Sequence, residues 1–361
     1  MLACFSTNRP DKLKEALVAY SKQLEGRNLL VIDTDKTHSE NASFLPEGAM
    51  HHSENEMLEL LSDYAFAFQG KYGGNRNQGL AFAAALDEDL AFFDDDTTPV
   101  NDALDRHEAC LEKGYSIICG KYVGHAGGAP NLVLQLISEL SMKEPREERV
   151  REIFSGLPAP TATPVLGAGV NGGNMGVSLR AATTYAFYPT SYRVEDGAYA
   201  AFSPYYLGEN AVYNPQTRVE ADSYLPVVRH EMTPGKPNAL RAKIEDEIRG
   251  TSLALCIDQL LKNKQEQTEE NILAKWEAAT QASFKEYVIP YLQKNAEQHK
   301  LAEKIEALGL SEEAREFKAL LALSAEKLAL PEGDYVQKVK LFFETQEAWQ
   351  GAVRQAKTKL K

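Results

Sequence analysis

Short apolar runs that each stop at a polar residue constrain this chain more than any other feature. Residues 2–5, 29–32 and 90–93 read LACF, LLVI and LAFF. A strand that is apolar on both faces must be covered on both faces, which is the condition of a parallel sheet with crossover helices. The segments between the runs carry apolar residues at helical spacing, as with Leu13, Leu17, Tyr20 and Leu24 after Pro10, a residue suited to a first helical turn. A further helix carrying Met57, Leu58, Leu60 and Leu61 and another over about 77–86 are predicted before the third run. The fold class is therefore α/β, with a mostly parallel, Rossmann-like central sheet flanked by helices. Ligands gather at the carboxyl ends of such strands, and that is where Asp33 and Asp94 fall.

Further along, residues 145–173 are rich in proline, glycine and charge, including Pro158, Pro160 and Pro164, and read as a crossing loop with a short helix. A strand over 173–179 follows. Residues 185–224 carry many tyrosines, glycines and prolines and are expected to form loops around one short helix near Asp196. Beyond Pro237 the composition shifts to Ala, Leu, Glu, Lys and Gln, and apolar residues recur at helical spacing: Leu240, Ile244 and Ile248, then Trp276, Phe284 and Val288, then Leu341, Phe342, Trp349 and Val353. The predicted division is a catalytic domain over 1–237, with a nucleotide-binding part to about 125 and an acceptor side over 126–237, followed by an α-helical region over 238–361.

Composition removes several classes of function. With 39 basic and 52 acidic residues the chain has a formal charge of -13, which repels nucleic acid and anionic lipid. Cys4, Cys110, Cys119 and Cys256 show no paired spacing and read as buried free thiols. No apolar stretch approaches the roughly 20 residues that cross a bilayer, and residues 1–5 are too short a run for a secretory signal. A cytoplasmic protein is expected, with peripheral membrane association and homo-oligomerisation through the helical region left open.

The strongest chemical signal is Phe92-Phe93-Asp94-Asp95-Asp96-Thr97, three carboxylates directly after an apolar strand. Crowded like charges are costly unless neutralised, and a hard divalent cation, magnesium or manganese, would do so while leaving positions for two phosphates. The plain alternative is an acidic turn capping a helix near Asn101. Upstream stands Lys71-Tyr72-Gly73-Gly74-Asn75-Arg76-Asn77-Gln78-Gly79 with an alanine-rich helix after it; downstream come Asn171-Gly172-Gly173-Asn174-Met175-Gly176 and Arg193-Val194-Glu195-Asp196-Gly197.

In that order these segments resemble glycosyltransferase family 2, nucleotide-sugar-dependent enzymes of the GT-A fold, over about residues 1–200. The resemblance implies that Arg76 pairs with a phosphate or nucleotide group, with Asn75 and Asn77 capping its helix. It also implies that Gly173 and Asn174 line the floor beneath the sugars, and that Asp33 contacts the base. Asp196 becomes the catalytic base, with Glu195 supporting it at a helix amino terminus that favours an ionised carboxylate. Metal-dependent GT-A enzymes also supply a downstream histidine to the cation, for which His230 is the candidate beside Asp94 and Asp96. Asp94 and Asp95 would also face the nucleotide, and Thr7, Asn8 and Asp35, at the ends of the first two strands, could border the same pocket. Taken singly, each has a structural reading as well: a glycine turn, a helix cap, a strand-end turn, a core histidine. His51 and His52 read as a solvated loop pair, and His38, His107, His125 and His299 show no partner pattern. A glycine-rich loop with a downstream Pro-Lys is absent, which argues against a pyrophosphorylase.

The expected activity is metal-dependent transfer of a sugar from a nucleotide-diphosphate donor to an acceptor hydroxyl, with inversion. Alternatives are a retaining transferase acting on a small organic acid, a non-catalytic sugar- or nucleotide-binding module, and a scaffold for an interacting helical tail.

Overall fold

The computed structural model describes residues 1–165, 172–208, 212–213 and 224–360. Its strands are β1 (Leu2–Ser6), β2 (Leu29–Asp33), β3 (Met50–Ser53), β4 (Leu90–Asp94), β5 (Thr97–Pro99), β6 (Ile117–Cys119), β7 (Lys121–His125), β8 (Pro160–Val165), β9 (Asn174–Val177), β10 (Val212–Tyr213) and β11 (Val227–His230). A seven-stranded sheet runs β10-β6-β9-β4-β1-β2-β3, and a four-stranded sheet runs β5-β11-β7-β8. In the large sheet β1 pairs in parallel with β2 and β4, and β2 with β3, while β9 runs antiparallel between β4 and β6.

The apolar runs act as their composition requires. Successive side chains on a strand point to opposite faces. Leu2, Cys4, Leu30, Ile32, Leu90 and Phe92 therefore meet Leu80, Phe82 and Trp349 on one side, while Ala3, Phe5, Val31, Ala91 and Phe93 meet Leu13, Tyr20 and Leu104 on the other. Removing a side chain such as Phe92 or Phe93 from water stabilises the fold by about 1.5–3 kcal/mol. All four cysteines are buried, and none forms a disulfide.

The carboxyl-terminal region is helical, as its composition predicts, and it packs on the sheet rather than beside it. The long helix Glu332–Lys359 drives Trp349 into the core under the large sheet, where its indole N–H donates to the Ala182 carbonyl at 2.9 Å. The helix Ala239–Asn263 packs on Ala129–Ser141 and Glu147–Phe154 through Leu240, Ile244 and Ile248. No helix among the described residues is long and apolar enough to cross a membrane.

Several local expectations are corrected. The proline-rich crossing segment contains β8 after its predicted helix Glu147–Phe154, and that strand lies at the margin of the small sheet, where proline is tolerated because one side of the strand needs no ladder donor. The helix near Asp196 is 13 residues long, Glu195–Leu207, and continues through Pro204. Helix Gly73–Leu86 starts four residues earlier than predicted, so Asn75 and Asn77 lie within it and cap nothing: Asn77 instead ties Ala67 and Phe187 to the helix, and Asn75 donates to Glu54. Val288 does not extend the face of Trp276 and Phe284, because helix Glu269–Glu286 has ended and Val288 has a positive φ ahead of the next helix.

Candidate functional site

The register of β1 on β4 sets Ser6 beside Asp94, so the carboxyl ends of both strands open at one corner. The chain turns at Asp95 and Asp96 into β5, with the Thr97 hydroxyl donating to the Asp94 carbonyl at 2.7 Å. β11 lies antiparallel to β5 with His230 opposite Thr97, and the Glu231 amide donates to the Asp96 carbonyl. This pairing carries His230 to the acidic turn. Its Nε2 stands 3.2 Å from an Asp96 carboxylate oxygen, and its ring packs on Tyr122.

The three aspartates are used differently. Asp95 is buried and accepts from the Thr7 hydroxyl at 2.6 Å and from Arg9 through both carboxylate oxygens. Thr7 and Asp95 therefore anchor Arg9 rather than offer a ligand surface. Arg9, whose part the sequence did not reveal, also reaches Asp96 at 2.9 Å. Asp94 pairs with Arg76 at 3.1 Å, and the Arg76 guanidinium lies over the Phe92 ring. Asp94 is thus held toward Arg76, while Asp96 is shared between Arg9 and His230. Asn8 is exposed just beyond β1.

Glycines 172 and 173 let the next wall approach. A Cβ on Gly173 would stand 2.2 Å from an Asp94 carboxylate oxygen and 2.9 Å from the Tyr122 hydroxyl, and one on Gly172 would stand 2.6 Å from Arg76. No larger residue fits either position unless the site moves. Asn171 lies outside the described residues. Asn174, predicted on the pocket floor, is fully buried, with its amide donating to the Lys121 and Pro226 carbonyls and its oxygen 2.9 Å from His107 Nε2. It staples the sheets together beneath the site and has no free face for a sugar. Burial lowers the His107 pKa to about 4, so the ring is neutral there.

From the other side, the Gly172 amide donates to Asp196 at 2.6 Å, and the second Asp196 oxygen accepts from the Gly197 amide at 2.7 Å. Gly172 thereby links the Glu195–Asp196 helix start to Arg76 and Asp94. That helix is entered through Val194 at φ +80°, a conformation costly for a β-branched residue. Gly250 of helix Ala239–Asn263 holds it there, since a Cβ at that position would lie 2.0 Å from the Arg193 carbonyl. The helical region thus sets the pose of Glu195 and Asp196.

Charge at the site is shaped by burial and neighbours. Burial, reinforced by the charge on Asp196, raises the Glu195 carboxyl to about 8. Burial also raises Asp196, against the opposing amide hydrogen bonds of Gly172 and Gly197. Burial acts to lower His230, but the Asp96 hydrogen bond and charge reverse this and leave it raised. For Asp96, burial is outweighed by His230 and Arg9, and its pKa is lowered.

A second cluster contradicts the readings of His38 as without a partner pattern and of His51 as part of a solvated loop pair. His51 and His52 sit on β3, not on a loop. Buried Asp33, at the end of β2, takes His51 Nε2 at 2.7 Å, His38 Nδ1 at 2.9 Å and the Asn41 amide at 2.7 Å. Its carboxylate is fully engaged, so it does not stand free to contact a base. Among the described residues, Asp33, His38 and His51 alone bring three metal-ligating atoms within 4.8 Å of one another; Asp94, Asp96 and His230 do not.

A scan against protein-family models finds no match, and a search of curated proteins finds no significant similarity.

Proposed function

We propose that this protein is a metal-dependent glycosyltransferase of the GT-A type that uses a nucleotide-diphosphate sugar. The single observation carrying the reading is the meeting of two separate carboxylate groups at the ends of β4 and β9: Asp94 and Asp96 with His230 on one side, and Glu195 and Asp196 on the other, joined through Gly172 and Arg76. Acid turns that merely cap a helix need no such convergence; the helix after β5 begins at Ala103 with no side-chain cap.

A manganese or magnesium ion would be held by Asp96 and His230, with Asp94 nearby, and its arrival would replace the ion pair of Asp96 with Arg9 at 2.9 Å. When bound, the cation neutralises the diphosphate as it leaves. Among the described residues one Arg76 guanidinium nitrogen is buried without a hydrogen-bond partner, a donor suited to an anionic group entering the cleft. Asp196, fixed by two backbone amides, is the base that takes the acceptor hydroxyl proton, while the buried Glu195 carboxyl beside it, raised to about 8, stays protonated at neutral pH.

The test is transfer and donor hydrolysis by the full chain across a panel of nucleotide-sugars with and without manganese. Asp96→Ala and Asp196→Asn are expected to lose turnover, and Asp196→Asn to retain metal-dependent nucleotide binding. Undiminished turnover in Asp96→Ala contradicts the reading.

A further inference from the structure

We propose that Asp33, His38 and His51 form a second cation site, for a transition metal of the zinc class, at the edge of the large sheet away from β4. The inference does not rest on the transferase reading.

Three features carry it. First, the Asp33 carboxylate is 1% exposed, and among the described residues it pairs with no lysine or arginine; its only ion-pair partners are the two histidines. A buried negative charge needs a compensating positive one. Second, the ligand types are those of zinc: two imidazole nitrogens and a carboxylate, leaving a fourth position open. The two rings stack with centroids 3.9 Å apart and each turns one nitrogen to the same carboxylate. Third, the surroundings resemble a supporting shell. The Asn41 amide orients the Asp33 carboxylate, and the Glu56 carboxylate lies 3.9 Å from the far nitrogen of His38. A cleft of about 310 Å³, lined by His38 together with Asp35, Glu56 and Glu59, gives a cation an acidic route to the ring.

The nitrogen–oxygen separations of 2.7 and 2.9 Å are those of hydrogen bonds. Ligand atoms on a tetrahedral zinc with bonds of about 2.0–2.1 Å stand roughly 3.3 Å apart, so the histidines must each move back by about half an ångström. His38 is placed to do so, because it opens the short helix His38–Ala42 after a turn closed by Thr34 and Thr37. Bound there, the ion would tie β2, β3 and that helix together.

The experiment uses the full chain carrying Asp96→Ala, which silences the other corner, stripped of metal and titrated with zinc against a chromophoric chelator. One equivalent is expected to bind, and cobalt in its place is expected to give the absorption of a tetrahedral site. His38→Gln or His51→Gln should weaken zinc by about 100-fold or more, since even supporting residues account for 10- to 100-fold. No binding, or equal binding in the histidine variants, would show a hydrogen-bonded triad only and overturn the proposal. Should either variant fail to fold, zinc-edge anomalous diffraction from the parent decides. A peak bonded to these three residues is expected, and a peak elsewhere or none overturns the site.

Discussion

The two acidic corners of the large sheet solve one electrostatic problem in opposite ways. At the end of β4 three consecutive carboxylates are distributed among Arg9, Arg76 and His230, with Arg9 and Asp94 partly exposed and Arg76 buried. At the end of β2 a single buried carboxylate is enclosed by His38, His51 and Asn41. The first arrangement leaves Asp94 and Arg9 partly exposed, where a ligand can take over their charge; the second encloses a carboxylate that is 1% exposed. Function should therefore concentrate at β4 and stability at β2.

The sharpest way to break that contrast is Asp96→Ala. It is expected to lower transfer by about 100- to 1,000-fold, the scale of losing one preorganised charge-stabilising group; turnover assays with saturating manganese would show it. Asp33→Ala comes next. It leaves two histidines and an amide without their acceptor and should destabilise the metal-free chain by about 3 kcal/mol in chemical denaturation. An unchanged midpoint would mean that the β2 corner is not an internal structural unit.

Gly173→Ala should cost about 1–3 kcal/mol, because the added methyl meets Asp94 and Tyr122 at distances that packing does not permit. Gly197→Ala, with nothing within 4 Å of its Cβ position, is the matched control and should be neutral or stabilising by about 0.5–1 kcal/mol. Equal effects would remove the argument that the Gly172–Gly173 wall is set by the site.

The smallest expected effect is on pH dependence. His230 has a raised pKa in the fold, so its contribution is complete below the unfolded value near 6.5 and is lost as pH rises through the folded value. Asp96 is lowered, so its contribution is present above the unfolded value near 3.8 and is lost as pH falls through the folded one. Thermal melts of the metal-free chain should fall on the alkaline side, and His230→Gln should flatten that limb.

What could be read from the sequence follows the same division. β1, β2 and β4 are continuous apolar runs with Asp33 and Asp94 at the ends of β2 and β4, whereas the grouping of Asp94–Asp96 with Glu195–Asp196 and His230 came from the resemblance to glycosyltransferase family 2 and not from the apolar pattern. β3 was hidden because an edge strand reading MHHS has no apolar pattern, and the Asp33 cluster was hidden with it. Arg9 lies one residue before Pro10, where it reads as a helix flank; its salt bridges are 86 and more residues away in sequence. The tyrosines, glycines and prolines of residues 185–224 argued for a short helix near Asp196, yet the fold carries that helix through Pro204. Trp349 was legible as an apolar helical residue but not as part of the sheet core, because periodicity names a buried face without naming what covers it. That contact has a consequence for truncation: removing residues from about 265 onward would open the core beneath β1 and β4, so it would not isolate a free-standing catalytic unit.

The most direct test of the account is manganese-edge anomalous diffraction from crystals grown with manganese and a nucleoside diphosphate. The account predicts a peak between Asp96 and His230 with the diphosphate beside it and Arg76 turned to the nucleotide. An empty β4 corner, with those side chains still paired as they are here, would contradict it.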